Sequence, residues 1–337
     1  MAAVDKKSRR VAVLGATGLV GREMLRVLEE RDFPVGELLP LASERSAGKK
    51  VSFRGAEYTV RAVDEDAFRD VDIALFSAGG SASKRWAPVA ARSGAVVIDN
   101  SSAWRMDPEV PLVVPEVNPE DVARHKGIIA NPNCSTIQAV VALYPLHQRA
   151  GLNYVSYATY QSVSGTGIAA LDALRDGSAD VLEGREPRET SVYPHPIAFD
   201  MLPHIGSFDE EGISQEEWKM VYESRKIMHI PDLSVSCTTV RVPVFRSHGE
   251  AIVANFEREI TPEEARGVLR EAPGVILMDD PADAVYPRAR LAEGKDAVYV
   301  GRVRRDTGID GALALWVVAD NLRKGAALNA VQIAELL

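Results

Sequence analysis

Cysteine is nearly absent from this sequence: 337 residues carry two, Cys134 and Cys237. Two thiols cannot build a disulfide framework, and they suit a reducing compartment. Aromatic residues are few, at 6%. No stretch of about 18 consecutive apolar residues occurs, so no helical membrane span is expected. Basic charge is in deficit, 39 Lys and Arg against 48 Asp and Glu, for a net charge of −9. That balance repels polyanions, which argues against nucleic acid or an anionic membrane as the main partner. The opening Met-Ala-Ala-Val-Asp-Lys-Lys-Ser-Arg-Arg leads into the apolar run 11–14, too short for the core of a secretory leader. The chain is expected in the cytoplasm.

What remains is ample for packed cores. Hydrophobic residues make up 46% of a chain whose length implies two domains. Residues 11–14, 38–42, 73–77 and 96–99 read as short buried strands, and 21–30 and 83–93 as helices. That alternation implies parallel crossovers and a doubly wound sheet. The pattern changes after Asn131. Residues 153–163 alternate in period two, and 234–245 and 250–259 read as long strands joined hairpin-fashion through 246–249. A mainly antiparallel sheet with one covered face is expected there. The tail 320–337 has helical spacing at Leu322, Ala326, Leu328, Val331 and Ala334.

Two segments carry chemistry. Val11-Ala-Val-Leu-Gly15-Ala-Thr-Gly18-Leu-Val-Gly21 is a strand, a glycine turn and a helix start. Glycines let backbone approach a pyrophosphate, which then rests on amides at the helix N-terminus. The spacing differs from G-x-G-x-x-G, and a ligand-free glycine turn is the plain alternative. Ser43-Glu44-Arg45-Ser46 follows the second strand. An arginine with hydroxyl neighbours suits the 2′-phosphate of NADP, whereas Glu44 suits an NAD ribose; the balance favours NADP. In Asn131-Pro-Asn133-Cys134-Ser-Thr136 the cysteine sits at a helix N-terminus, whose partial positive charge stabilises a thiolate. The amides of that turn are candidates to hold an oxyanion. Cys237, inside a strand, reads as a small buried hydrophobe. Of six histidines, His248 is preferred slightly over His195 as acid/base partner, because it sits in a loop between long strands.

The chain resembles the bacterial type of the aspartate-β-semialdehyde dehydrogenase family almost from end to end. The resemblance is carried by Gly15-Ala-Thr-Gly-Leu-Val-Gly21, Asn100-Ser-Ser-Ala-Trp-Arg105, Val114-Pro-Glu-Val-Asn118 and Asn131-Pro-Asn-Cys-Ser-Thr136. It continues through Gln161-Ser-Val-Ser-Gly-Thr-Gly167, Arg241-Val-Pro-Val, Ser247-His-Gly249 and Asp320-Asn-Leu-Arg-Lys-Gly-Ala-Ala-Leu-Asn329. It implies that Cys134 is the nucleophile carrying an acyl thioester, that His248 is the general acid/base and that Gln161 orients substrate or thiolate. Arg241 would grip the substrate carboxylate. Glu216 and Lys219, three apart on one helical face, would meet its ammonium and phosphate, where spacing alone reads as an ordinary exposed ion pair. Arg105 and Asn133 would complete the phosphate site. Gly15, Thr17, Gly18, Leu19, Val20, Arg45, Ser46, Ser164, Gly165 and Asn321 match positions that hold NADP, and no metal is implied.

The expected architecture is therefore α/β. Residues 1–131 would form a Rossmann-like doubly wound parallel sheet that binds NADP. Residues 132–319 would form an α+β catalytic and dimerisation domain with a mainly antiparallel sheet, and 320–337 a helix returning to the first domain. The implied reaction is NADPH-dependent reductive dephosphorylation of L-aspartyl-4-phosphate to L-aspartate 4-semialdehyde, in biosynthesis of lysine and diaminopimelate, threonine, methionine and isoleucine. The implied assembly is a homodimer or a tetramer. The rival readings are N-acetyl-γ-glutamyl-phosphate reductase, a catalytically silent NADP-binding paralogue, and a glycolytic-type aldehyde dehydrogenase.

Overall fold

The computed structural model describes residues 8–337, and the segment 1–7, read above as the start of a leaderless chain, lies outside them. The chain divides into two compact units. One ends at Pro132 and takes in Ala326–Leu337; the other is Asn133–Gly325.

The first unit is built on β1 (Arg9–Leu14), α1 (Leu19–Glu30), β2 (Val35–Ala42), β3 (Lys50–Phe53), β4 (Ala56–Thr59) and β5 (Arg61–Ala62). It continues with β6 (Ile73–Phe76), α2 (Gly80–Arg92), β7 (Val96–Asp99) and β8 (Ile128–Ala130). Its main sheet has the order β5-β2-β1-β6-β7-β8, every pairing parallel. Strand β1 explains why the run 11–14 is apolar without alternation. Val11 and Val13 enter one buried layer with α1, while Ala12 and Leu14 enter the opposite layer with α2. The strand order reverses beside β1, and the glycine turn leaves its C-terminal end at that switch point. The short strands β3, β4, β5 and β8 went unread in the sequence.

The second unit contains α3 (Cys134–Ala150), β9 (Leu152–Gln161), α4 (Ile168–Leu182), α5 (Gln215–Met228), β10 (Ser234–Arg241) and β11 (His248–Phe256). Then follow α6 (Pro262–Glu271), β12 (Val275–Leu277), α7 (Ala289–Ala292), β13 (Val298–Arg305) and β14 (Leu313–Ala319). The sheet order is β10-β9-β11-β14-β13-β12. Three of its pairings are antiparallel; β9–β10 and β12–β13 are parallel. The expected hairpin of residues 234–245 with 250–259 is thereby corrected. Strand β9 lies between β10 and β11, pairing parallel with the first and antiparallel with the second. The crossover through α4 and α5 brings β10 back beside β9, which a two-strand reading of the alternation cannot reveal. His248 also moves from the expected loop to the first residue of β11, paired with Ala319.

Helix α8 (Leu328–Glu335) belongs to the first unit. Leu328, Val331, Ile333 and Ala334 enter the α1 layer, and Asn329 Nδ2 donates to Val113 O and Asn131 Oδ1 at 2.9 and 2.7 Å. Arg31 closes the end with a two-pronged pair to Glu335. Among the described residues no helix is long and apolar enough to cross a membrane.

Candidate active site

The first unit's glycine turn is a close-approach device. Gly15 has φ of +90°, and a β-carbon on it would fall 2.3 Å from Ser77 O; one on Gly21 would fall 2.1 Å from Gly15 O. Gly18 is the N-cap of α1, no side chain caps that end, and its first turn carries no acidic residue. Thr17, Leu19 and Val20 line the same turn. Arg45 and Ser46 lie in the single helical turn Glu44–Ser46 after β2, where Glu44 and Arg45 are both exposed. Arg105, also in this unit, is buried, donating from Nε to Asn131 O at 3.0 Å and from Nη2 to Asn100 O at 3.0 Å.

In the second unit three strand ends meet at one edge of the sheet. Gln161 closes β9 and Arg241 closes β10, opposite each other in register, and His248 opens β11. Helix α3 presents Cys134 to them from its first turn. Cys134 Sγ and His248 Nε2 are 3.2 Å apart across 114 residues of chain. His195 is exposed in the loop after α4, so the choice between the two histidines falls to His248.

The start of α3 is fixed from below. Asn133 caps it, its Oδ1 accepting the Ser135 and Thr136 amides at 3.0 and 3.2 Å. Those two amides are thus occupied by the cap, which corrects the expectation that they would serve an oxyanion. The Asn133 backbone amide donates to Glu223 Oε2 at 2.6 Å, a residue the sequence did not single out. Glu216 is the hub. Its Oε1 accepts Asn133 Nδ2 at 2.8 Å and Gln161 Nε2 at 3.1 Å, and Oε2 accepts Lys219 Nζ at 2.8 Å. Burial alone would raise this carboxyl, but the Lys219 charge and the three hydrogen bonds outweigh it and hold it down at about 2. The Glu216–Lys219 pair is therefore anchored in the site and is no ordinary surface pair.

Arg241 is buried, donates from Nη1 to Ser162 O at 2.7 Å, and leaves Nε with no hydrogen-bond partner among the described residues. Gly165 packs against it: a β-carbon there would lie 3.2 Å from Arg241 Nη1 and 3.7 Å from His248 Nε2. Burial first, and the Arg241 charge second, push His248 down to about 3. Asn321 ties the strand ends together. Its Oδ1 accepts from Ser247 N at 2.9 Å and from Ser162 Oγ at 3.1 Å, and its Nδ2 donates to Ser164 Oγ at 2.9 Å. Ser247, with φ of +73°, is held in that left-handed conformation while Arg246 pairs with Asp320 at 2.7 Å.

Two further residues escaped the sequence reading. Gly325 packs on the nucleophile, since a β-carbon there would sit 2.9 Å from Cys134 Cβ. Gly325→Ala is expected to displace the sulfur, to lower kcat by about tenfold or more and to cost about 1–3 kcal/mol of stability through the forced contact with Cys134; a thiol-alkylation rate equal to that of the parent would contradict it. Glu250, two residues along β11 from His248, is fully buried, and neither of its oxygens has a partner among the described residues. Burial raises it well above the ordinary carboxylate range, despite the opposing pull of Gln138 and Ser135. Because its folded pKa exceeds its unfolded one, its stabilisation is present at low pH and lost as pH rises above the unfolded value. Glu250→Gln, which does not titrate, should gain on the parent as pH rises above the unfolded carboxylate value. Urea unfolding at several pH values measures this; a pH-independent difference would mean the carboxyl is ionised in the fold. Cys237, in β10, has its thiol pushed up by burial, so it is no second nucleophile.

Comparison with known proteins adds to this geometry. A family model described as "Semialdehyde dehydrogenase, NAD binding domain" matches residues 10–125. Another, "Semialdehyde dehydrogenase, dimerisation domain", matches residues 143–324. The aspartate-semialdehyde dehydrogenase of Aquifex aeolicus is 60% identical over 331 residues, covering 97% of both chains. A crystal structure of aspartate semialdehyde dehydrogenase II from Vibrio cholerae, complexed with ASA, superposes with a TM-score of 0.95 at 49% identity, over 98% of each chain. The aspartate semialdehyde dehydrogenase of Candida albicans, solved with NADP, gives a TM-score of 0.74 at 25% identity, over 98% of each chain.

Proposed function

The chain belongs to the aspartate-semialdehyde dehydrogenase family, and from that premise we propose that it reduces L-aspartyl-4-phosphate to L-aspartate 4-semialdehyde with release of phosphate. The reading rests above all on the 3.2 Å contact between Cys134 Sγ and His248 Nε2 at a capped helix start. That contact joins a nucleophile and its partner, which is what acyl transfer through a thioester requires.

NADP fits the first unit, because Gly15 and Gly21 admit no side chain and α1 begins without a side-chain cap. Gly15, Thr17, Gly18, Leu19 and Val20 would hold its pyrophosphate, and Arg45 and Ser46 its 2′-phosphate; Ser164, Gly165 and Asn321 are carried by the second unit. When bound, the reduced cofactor supplies a hydride. Cys134 attacks the acyl carbon, and phosphate leaves as the thioester forms. Gln161 and Asn133, both held by Glu216, keep the nucleophile's surroundings in place. Arg241, with a buried Nε that has no partner, presents its guanidinium to the substrate carboxylate. Lys219 would supply positive charge for the phosphate from the second unit. Arg241→Lys should raise KM by about 10²-fold, because an ammonium cannot reproduce the two-pronged contact; an unchanged KM would remove Arg241 from carboxylate binding.

The second unit carries a dimerisation-type domain. The outer face of its sheet shows Tyr160, 39% exposed, beside the half-buried Trp316, their rings 5.6 Å apart, and that face suits a second copy of the chain. The assembly proposed is a cytoplasmic homodimer or a dimer of dimers, working in biosynthesis of lysine and diaminopimelate, threonine, methionine and isoleucine.

Phosphate-dependent reduction of NADP and of NAD by L-aspartate semialdehyde tests the reaction, with N-acetylglutamate semialdehyde as control. Activity with the first substrate and NADP is the expected result. Activity with the control instead would favour N-acetyl-γ-glutamyl-phosphate reductase, and NADP binding without any turnover would favour a silent paralogue.

A further inference from the structure

The Ser162 amide decides which way hydrogen bonds run through the catalytic pair. It donates to His248 Nδ1 at 3.0 Å, with both residues buried. An amide N–H cannot donate into another N–H, so Nδ1 presents its lone pair. A neutral imidazole then carries its proton on Nε2, the nitrogen facing Cys134 Sγ. We propose that His248 is held as the neutral Nε2–H tautomer by Ser162, a positioning residue. In that form it donates a hydrogen bond to the Cys134 sulfur and to the oxyanion formed there, and does not act as the base that removes the thiol proton. The oxyanion half of this rests on the thioester reading above; the tautomer does not.

The amide cannot turn away. Ser162 O accepts Arg241 Nη1 at 2.7 Å, Val242 N donates to Gln161 O at 2.9 Å, and Val163 N donates to Val244 O at 2.9 Å, so the peptides on both sides are pinned. The Ser162 hydroxyl lies 3.1 Å from the same Nδ1, but it also lies 3.1 Å from Asn321 Oδ1, to which it donates. It would accept from an Nδ1–H only if the amide vacated that nitrogen. A flipped ring would set a carbon against the Ser162 amide and lose the bond altogether. An imidazolium would have to place Nδ1–H against Ser162 N–H while close to Arg241. The charged or titratable groups facing the ring are Arg241 from β10, Glu216 from α5 and the Cys134 thiol from α3; burial and Arg241 lower its pKa and outweigh Glu216 and a backbone hydrogen bond at Ser247, which raise it.

The reaction has no need of a base at Cys134. The thiolate forms the C–S bond, the C–O bond to phosphorus breaks, and phosphate departs with the electron pair and takes its proton from water. The thioester carbonyl is then reduced by the hydride that the cofactor supplies. When the C–S bond breaks, its electron pair returns to sulfur as thiolate. Sulfur thus enters and leaves the cycle in the same protonation state. Each tetrahedral stage requires a donor near sulfur and oxygen, and a neutral imidazole N–H supplies one without changing charge.

Long-range proton–nitrogen NMR on enzyme labelled in its histidine rings tests this, with His248 identified by the signals lost in His248→Asn. The expected spectrum has Nδ1 unprotonated and Nε2 protonated across about one pH unit either side of 6.5. Protonation of Nδ1 anywhere in that range overturns the proposal. Ser162→Ala keeps the amide and should keep the tautomer; a switch would transfer the fixing to the hydroxyl and overturn the role given to the amide. For the donor role, His248→Gln retains an N–H near the Nε2 position and should keep kcat about tenfold or more above that of His248→Asn. Equal losses in the two variants overturn it. The tautomer is read without substrate, so a chain inactive on L-aspartate semialdehyde but with the expected spectrum would refute the reaction alone.

Discussion

Cys134→Ala turns over substrate at a rate lower by about 10⁵-fold or more, the scale on which removal of a covalent nucleophile is felt. The other thiol, Cys237, does not replace it: it lies along β10, and burial pushes its pKa up. NADP binding should be largely retained, since the substitution leaves the glycine turn untouched. The check is a single-turnover assay combined with intact mass measurement. The parent should show an acyl adduct that disappears on reduction, and the variant none. Retention of more than about 1% of kcat would sink the thioester route.

Glu216→Ala is the second large effect, and it should appear in stability and activity together. The substitution removes the Glu216 acceptor from the Asn133 amide, leaves the Gln161 amide only Thr159 Oγ1 at 3.3 Å, and takes the carboxylate from Lys219. Breaking a buried pair by removing one member costs about 3–5 kcal/mol, and the lower end applies here because Lys219 is partly exposed. The cap of α3 loosens with it, so the Cys134 alkylation rate should change as well. The folded pKa of Glu216 is depressed to about 2, so its stabilisation is complete above the unfolded carboxylate value and is lost as pH falls toward about 2. Urea unfolding of parent and variant at neutral and acid pH should therefore converge as the pH is lowered. A gap that stays constant would show that the ionised carboxylate is not what stabilises the fold.

The sequence showed the first unit well because its signals are local. A buried parallel strand is apolar at every position, as residues 11–14 are, and a glycine turn announces itself. Cys134 at a helix start was legible for the same reason, through Asn133 and Pro132. In the second unit the decisive contacts join distant residues. Alternation identified the strands at 153–163, 234–245 and 250–259 but not their neighbours, because period two is the same whether a strand pairs parallel or antiparallel. That is why β9 was not seen to lie between β10 and β11. His248 could be preferred to His195 only slightly, since spacing says nothing about which ring reaches a sulfur 114 residues away. Glu216 and Lys219 looked like a surface pair because burial is set by what packs over α5. Glu250 carried no motif, and Gly325 lay within the 320–329 motif with nothing to mark its packing on Cys134. The resemblance bridged much of this gap by naming residues, but the hydrogen-bond directions around Ser162 had to come from coordinates.

The long separation between the sulfur and its ring has a consequence during synthesis. A chain emerging from the ribosome at about 5–20 residues per second has a complete α3 on the order of ten seconds before His248 exists. For that interval Cys134 is an unassisted thiol. Even with β11 made, the site is not complete, because Ser247 is clamped by Asn321, and Asn321 follows the last strand of the sheet. Reactivity thus arrives only once Asn321 has been made. The order of assembly itself guards a nucleophile that would otherwise meet cellular electrophiles before its substrate.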